Sequence, residues 1–459
     1  MKKARQFQGG RMMKSGLIHI LSAAVAVLML FGCFSAMGES AELFEYRIQD
    51  NGSILITGYR GTDTELVIPE TIDGLPVNGI SGSFGFNTPS IKNLTCIELP
   101  KTMISIEPGA LEFAEYLAEI RVDPEHPVFS FSDGVLYNRE KQSIVLYLQK
   151  NTAEHFDVPE GIRELEDKAF VRSGLRSVSL PESMERIGCE CFNQSALLAE
   201  ADLGKGLKTI ATDAFTNCDR LKEILIPASV TDIGEGAFTD NRLREIRVDQ
   251  ENPYFTVTDG VLINTREHAV IAYPTQREAS TCSVPEGITR IGRFAFYRSH
   301  FLKQVFLPKG LQEIGRGAFV SCNHITDLSL PDSVTLLEKQ AFEGNSDLKT
   351  LHLPSGLKEI DNNFNQIGIT ELEIPEGIET IDGSFKSLEH LTEVVIPDGV
   401  QHIRNNAFAF CKQLRKITIP ESVTEIGSNF IGCAADLTVQ AESGSYAEEY
   451  CQEHGIQCE

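Results

Sequence analysis

The sequence is short of positive charge: 41 Lys and Arg stand against 65 Asp and Glu in 459 residues, a formal net charge of −24. A protein that binds nucleic acid releases counterions from phosphates with a clustered basic face, so this balance weighs against such a partner. Trp is missing altogether, yet 42% of residues are hydrophobic. That fraction excludes a disordered, collagen-like or purely coiled-coil chain. Motifs of chemistry are also missing. There is no Gly-x-Ser-x-Gly, no His-Glu-x-x-His, no Cys-x-x-Cys and no phosphate-cradling glycine loop. The ten His are scattered, and no pair has helical or hairpin metal spacing. No catalytic residue, metal or cofactor is expected.

What is present at the start is an export signal. Lys2, Lys3, Arg5, Arg11 and Lys14 precede an apolar run from Leu17 to Phe31, interrupted by His19 and Ser22. A basic flank before a run too short for a membrane span marks a bacterial secretory leader, assigned to residues 1–38. Two cleavage readings follow from it. Leu30-Phe31-Gly32-Cys33 resembles a lipobox, with Cys33 as the lipidated residue, although Phe31 is bulkier than that pattern usually has. Ala36-Met37-Gly38 instead places small residues before a conventional cut and would release a soluble product. Beyond Cys33 there is no second long apolar run and no Leu-Pro-x-Thr-Gly sorting signal, so contact with a membrane is expected only through that lipid.

The dominant signal is a repeat. Leu221-Lys222-Glu223-Ile224-Leu225-Ile226-Pro227-Ala228-Ser229-Val230-Thr231-Asp232-Ile233-Gly234 ends in Ala237-Phe238, and the same frame recurs along the chain. Its register position falls at Pro69, Pro100, Asp123, Pro159, Pro181, Gly204, Pro227, Asp249, Pro285, Pro308, Pro331, Pro354, Pro375, Pro397 and Pro420. Most steps are 21 to 23 residues, while Asp123 to Pro159 and Asp249 to Pro285 are both 36. One such unit cannot bury its own apolar face, so units stack into a solenoid. Alternate residues of Leu-x-x-Ile-x-Ile-Pro point inward and the Pro ends the strand, so each coil is expected to add one rung to a parallel sheet. The Phe ten or eleven residues further on is expected to stack on its neighbours as an internal column.

The two long steps, 123–159 and 249–285, match each other without a gap at an offset of 126. Apolar stretches divided by Asp133-Gly134 and Asp259-Gly260 predict an added β-hairpin in each, either in the solenoid wall or protruding as a binding element. Phe44–Ile48 and Ser53–Thr57, joined across Asn51-Gly52, predict a hairpin cap within the 39–90 segment. The repeats occupy 91–440, and 441–459 forms a C-terminal cap with helical character at Tyr446–Tyr450 and a last short strand.

This frame resembles the leucine-rich repeat of the BspA-like class, most closely over Leu302–Cys322 and Leu414–Cys433. Departures occur at Gly204, Cys191, Asn363, Ser384 and Asn429, and at Ala110-Leu111 where Phe is expected. The resemblance implies a strand-dominated α/β leucine-rich repeat solenoid with short helical turns. It also implies a bacterial or protozoan surface or secreted protein that adheres to host matrix proteins, other host surface proteins or neighbouring cells. An envelope component valued for rigidity is the rival expectation, and an enzyme or enzyme inhibitor the third.

Four cysteines, Cys218, Cys322, Cys411 and Cys433, recur three residues after the Phe and are expected to fill core space. Cys282 reads as inward and Cys96 as outward. Cys451 and Cys458 flank the final turn, where a terminal disulfide is one reading. The outward strand slots, four and two residues before each register position, hold twelve acids against Arg121, Arg247 and Lys416. The candidate partner-binding residues on this strip are Glu200, Asp202, Glu223, Asp327, His352, Glu371, Glu373 and Glu393. A basic or cation-bridged partner is the sharp expectation, and a solvated face kept charged for solubility is the plain one.

Overall fold

The computed structural model describes residues 41–459; the expected leader, Cys33 and both expected cleavage sites lie outside the described residues. Each regular coil has three parts. A first strand, such as Glu223–Ile226, ends at the register position with Glu223 and Leu225 outward and Ile224 and Ile226 buried. Proline cannot donate to the ladder, so the chain turns there. About five residues later a second strand of two residues follows, as in Arg186–Ile187 and Thr209–Ile210, which pair in parallel. The third part is the turn carrying Phe, whose backbone N–H donates to the next coil: Phe192 to the Ala214 carbonyl and Phe319 to the Ala341 carbonyl, both at 2.8 Å.

The expectation of one rung per coil is therefore corrected to two. The second ladder is the more continuous, forming sheets of seven, six and four strands. The first-strand face divides into shorter sheets, and the coil carrying Glu371 and Glu373 contributes only a single bridge, Glu373 to Val395. Two of the breaks in that face fall at the long coils, where inserted strands add rungs to the second ladder alone. The helical turns also shrink: among the described residues, outside the terminal helix, there is one four-residue helix, Phe84–Asn87, and two short 3-10 segments, Ala41–Leu43 and Ile91–Asn93. The reason lies beside each Phe. Glu190 (φ 52°) and Gln194 (φ 61°) flank Phe192, and Asp213 (φ 55°) and Asn217 (φ 59°) flank Phe215. A left-handed residue costs an L-amino acid about 1–2 kcal/mol and does not propagate a right-handed helix.

The aromatic column is present in two runs. Tyr147, Phe170, Phe192, Phe215 and Phe238 stack with ring centroids 4.9–5.9 Å apart. Tyr273, Phe296, Phe319, Phe342, Phe364, Phe385 and Phe408 stack at 4.8–5.9 Å. Burying each ring contributes roughly 2–3 kcal/mol, and each stacked pair about 1 kcal/mol more. The cysteines three residues after the Phe fill space and also donate: Cys322 Sγ to the Phe296 carbonyl at 2.9 Å, Cys411 Sγ to Phe385 at 3.1 Å. Ser195 Oγ makes the same bond to the Phe170 carbonyl at 2.8 Å.

Each long coil adds strands to the wall. Phe129–Ser132, Val135–Asn138 and Ser143–Tyr147 are joined antiparallel, and Ser143–Tyr147 then pairs in parallel with Glu164–Leu165. Phe255–Thr258, Val261–Asn264 and Ala269–Ala272 repeat that arrangement. The N-terminal hairpin pairs Phe44–Ile48 with Ile54–Tyr59, and the latter joins the first coil in parallel. At the other end the helix Tyr446–His454 starts on the Ser445 side chain and stops at Gly455 (φ 66°), and Gln457–Cys458 pairs with Thr438–Ala441. Cys451 and Cys458, the pair considered for a terminal disulfide, are free thiols in this structure.

Candidate binding face

All eight candidate residues are exposed on the first-strand face. The pleat puts them there, since successive side chains alternate in and out and their neighbours Ala201, Ile224, Leu328, Leu351, Leu372 and Val394 point toward the core. They do not form one uninterrupted ladder. Glu200 and Asp202 stand beside Ser177 and Ser179, Asp327 beside Thr350, and His352 beside Ser329. Glu373 and Val395 are partners across the bridge that links the coil of Glu371 to that of Glu393. Among the described residues, no group of three or more His, Cys, Asp or Glu is arranged to hold a metal ion.

The three outward bases are all engaged. Arg121 reaches Glu65 at 2.9 Å and Glu119 at 3.4 Å. Arg247 reaches Glu223 at 2.6 Å and Glu245 at 3.9 Å, and Lys416 holds Glu393 at 3.1 Å. Glu223 and Glu393 are thus partly neutralised, each by an exposed pair worth no more than about 1 kcal/mol. Glu98, Glu200, Asp202, Asp327, Glu371 and Glu373 make no ion pair among the described residues, so the face keeps an excess of negative charge. Cys96 sits in an outward slot, as its spacing requires, but it is buried. The Arg121–Glu65 pair spans the strand that carries it, and burial pushes the thiol up to about 11.

Apolar residues share this face, and sequence reasoning missed them. Val67, Leu225, Phe306 and Val395 occupy outward slots and are about half exposed. The sequence signal for them is their spacing, two residues before the register position, which places them outward. Depressions open on the same face. One is lined by Leu225, Glu245, Arg247, Asp249, Glu251 and Val257 among others, one by Val67, Glu98, Glu119, Arg121, Asp123 and Phe131 among others, and one by Glu200, Asp202, Glu223 and Leu225 among others. Buried thiols offer no nucleophile: burial pushes Cys322 and Cys411 up to about 12, where the reactive thiolate is scarce.

The BspA type leucine-rich repeat family model matches residues 143–257, 272–385 and 382–451, more than half of the chain, and the chain belongs to this family. No curated protein matches it. Among solved structures it is similar to a leucine-rich repeat protein of Eubacterium ventriosum, 18% identical over 86% of this chain and 94% of that one, with a TM-score of 0.50. It is also similar to the pneumococcal vaccine antigen PcpA, 18% identical over 91% and 96%, TM-score 0.49. A leucine-rich cell surface protein of Faecalibacterium prausnitzii is 23% identical over 93% and 98%, TM-score 0.45. At these identities the likeness is one of fold.

Proposed function

We propose that the chain is a non-enzymatic binding module, working outside the cytoplasm of a bacterium, that uses its outward first-strand face to hold a protein partner on host matrix, host cells or neighbouring cells. The observation that supports this most is the face itself: unpaired acids and half-exposed aliphatics share the outward slots of a body held rigid by stacked Phe and three columns of backbone hydrogen bonds. Rigid, extended faces are where solenoids bind, and a pre-ordered face loses little entropy on association. Retention at the cell surface is proposed to depend on the lipid at Cys33, and cleavage near Gly38 would give a secreted form of the same module.

The test is binding of the chain from Glu39 onward to immobilised fibrinogen, fibronectin and whole cells at two salt concentrations. Saturable binding that weakens at higher salt supports the reading, because exposed charges are screened. Absence of binding at micromolar protein favours an envelope component instead.

A further inference from the structure

Each of the two long coils leaves an open sheet edge. Phe129–Ser132 and Phe255–Thr258 are each the last strand of their sheet, paired on one side only. The turns that follow, Asp133-Gly134 and Asp259-Gly260, have positive φ at both residues, the two-residue hairpin geometry. Such a turn makes Ser132 and Val135, and likewise Thr258 and Val261, a hydrogen-bonded pair. By the antiparallel alternation, Phe131 and Val257 then aim their backbone N–H and C=O away from the hairpin, at the free edge. The same alternation puts Phe129 and Phe255 outward, and their N–H groups are indeed taken from that side by His126 and Asn252.

Each free edge borders one of the depressions on the first-strand face. Val257 lines the first with Leu225, and Phe131 lines the second with Val67. In the first, Glu245, Asp249 and Glu251 face one base, Arg247; in the second, Glu70, Glu98, Glu119 and Asp123 face two, Lys101 and Arg121. All three bases are already ion-paired to acids, so both depressions carry the same net charge, two negative. Unpaired backbone, an exposed aliphatic side chain and surplus carboxylates together fit one kind of guest.

We infer that the chain carries two equivalent docking grooves, each taking an extended, lysine-bearing segment of a partner protein as an added strand against Phe129–Ser132 or Phe255–Thr258. Main-chain bonds to Phe131 or Val257 hold the guest, alternate aliphatic side chains meet Val67 or Leu225, and lysines meet the groove acids. The grooves lie on the order of 30 Å apart along the solenoid, given rungs about 4.8 Å apart, so a partner with repeated segments engages both and gains avidity.

The inference rests on the binding-module reading and is tested separately from it. The probe is a capped heptapeptide of alternating Lys and Val, titrated calorimetrically into the chain from Glu39 onward, with a Lys-Gly heptapeptide of equal charge as control. Two molecules are expected to bind per chain, and the control not to saturate. Val257→Pro and Phe131→Pro, which delete an outward donor on an edge strand and also trim a side chain packed against the core, each remove one site, and the double variant removes both. Should a proline variant lose its fold by circular dichroism, Glu251→Lys and Glu70→Lys are each expected to weaken their own groove about tenfold. No saturable binding, equal binding of the control, or a stoichiometry untouched by these variants overturns the inference. A partner captured equally well by the double variant refutes the grooves and leaves the binding module standing; a bound probe with no partner captured does the reverse.

Discussion

His126 and Asn252 stand 126 residues apart and make the same hydrogen bonds with different side chains. Nδ1 of His126 accepts from the N–H of Val128 and Phe129 at 3.2 and 3.0 Å, and its other nitrogen meets the Pro100 carbonyl at 3.1 Å. Oδ1 of Asn252 accepts from Tyr254 and Phe255 at 2.9 Å each, while Nδ2 donates to the Pro227 and Val230 carbonyls. Both plug the place where an inserted strand begins without pairing to the coil before it. Backbone groups buried there need partners, and leaving one bare costs about 1–3 kcal/mol.

That geometry requires a neutral imidazole with its proton on Nε2. Burial holds His126 below the ordinary histidine range, helped by Arg139 and Lys101 and opposed by the Pro100 carbonyl and Asp123. Because the folded pKa lies below the unfolded value of about 6.5, this contribution to stability is complete above that pH. It is lost as pH falls through the folded pKa. His126→Asn should keep stability at neutral pH within about 1 kcal/mol and flatten its fall on acidification, since Asn252 already fills this role without titrating. Urea denaturation of both proteins at a series of pH values measures the difference and cancels the other histidines.

Cys322 should tolerate Ser and resent Ala. Ser195 shows that a hydroxyl can donate to the Phe carbonyl of its neighbour, whereas Cys322→Ala removes one of the donors to the Phe296 carbonyl, leaving it to the N–H and hydroxyl of Ser299, and opens a small void. The expected losses are under about 1 kcal/mol for Ser and about 1–3 kcal/mol for Ala. In the native protein the Cys322 thiol should react with iodoacetamide only at the rate of unfolding, which mass spectrometry of timed samples reads directly.

Tyr147 begins the first aromatic run with a buried hydroxyl that has no hydrogen-bond partner. Tyr147→Phe keeps the ring on Phe170 and removes the orphan oxygen, so it should leave stability unchanged or raise it by up to about 2 kcal/mol. A lower thermal midpoint in the variant would show that the hydroxyl is satisfied in solution.

Gln366 holds a left-handed backbone (φ 57°) in a turn where the preceding coil has Gly344 (φ 79°). Its side chain is exposed, so Gln366→Gly relieves the strain and should add a few tenths to about 1 kcal/mol in chemical denaturation, less the entropy that Gly loses on folding.

Much of the architecture was legible because it repeats. The register prolines, the Phe column, the Asp-Gly hairpins and both caps follow from spacing and turn chemistry, which local sequence determines. The second ladder was not, since two-residue strands such as Arg186–Ile187 show no alternation to read. Nor were the turns, where Glu190 and Gln194 take a conformation that usually advertises itself with glycine. On the first-strand face, spacing placed Glu200, Asp202, Glu371 and Glu373 outward as found. It had no means of showing that Arg121 would cross a coil to reach Glu65 and cover Cys96, or that two hairpin edges would open onto grooves.

The most direct test of the outward face as the binding surface is a quadruple charge reversal of four of the six acids that make no ion pair among the described residues: Glu200→Lys, Asp202→Lys, Glu371→Lys and Glu373→Lys. Partner binding should fall at least about tenfold while the thermal midpoint stays within a few degrees, since these side chains contribute little to the fold. Unchanged binding by a folded quadruple variant would contradict the account.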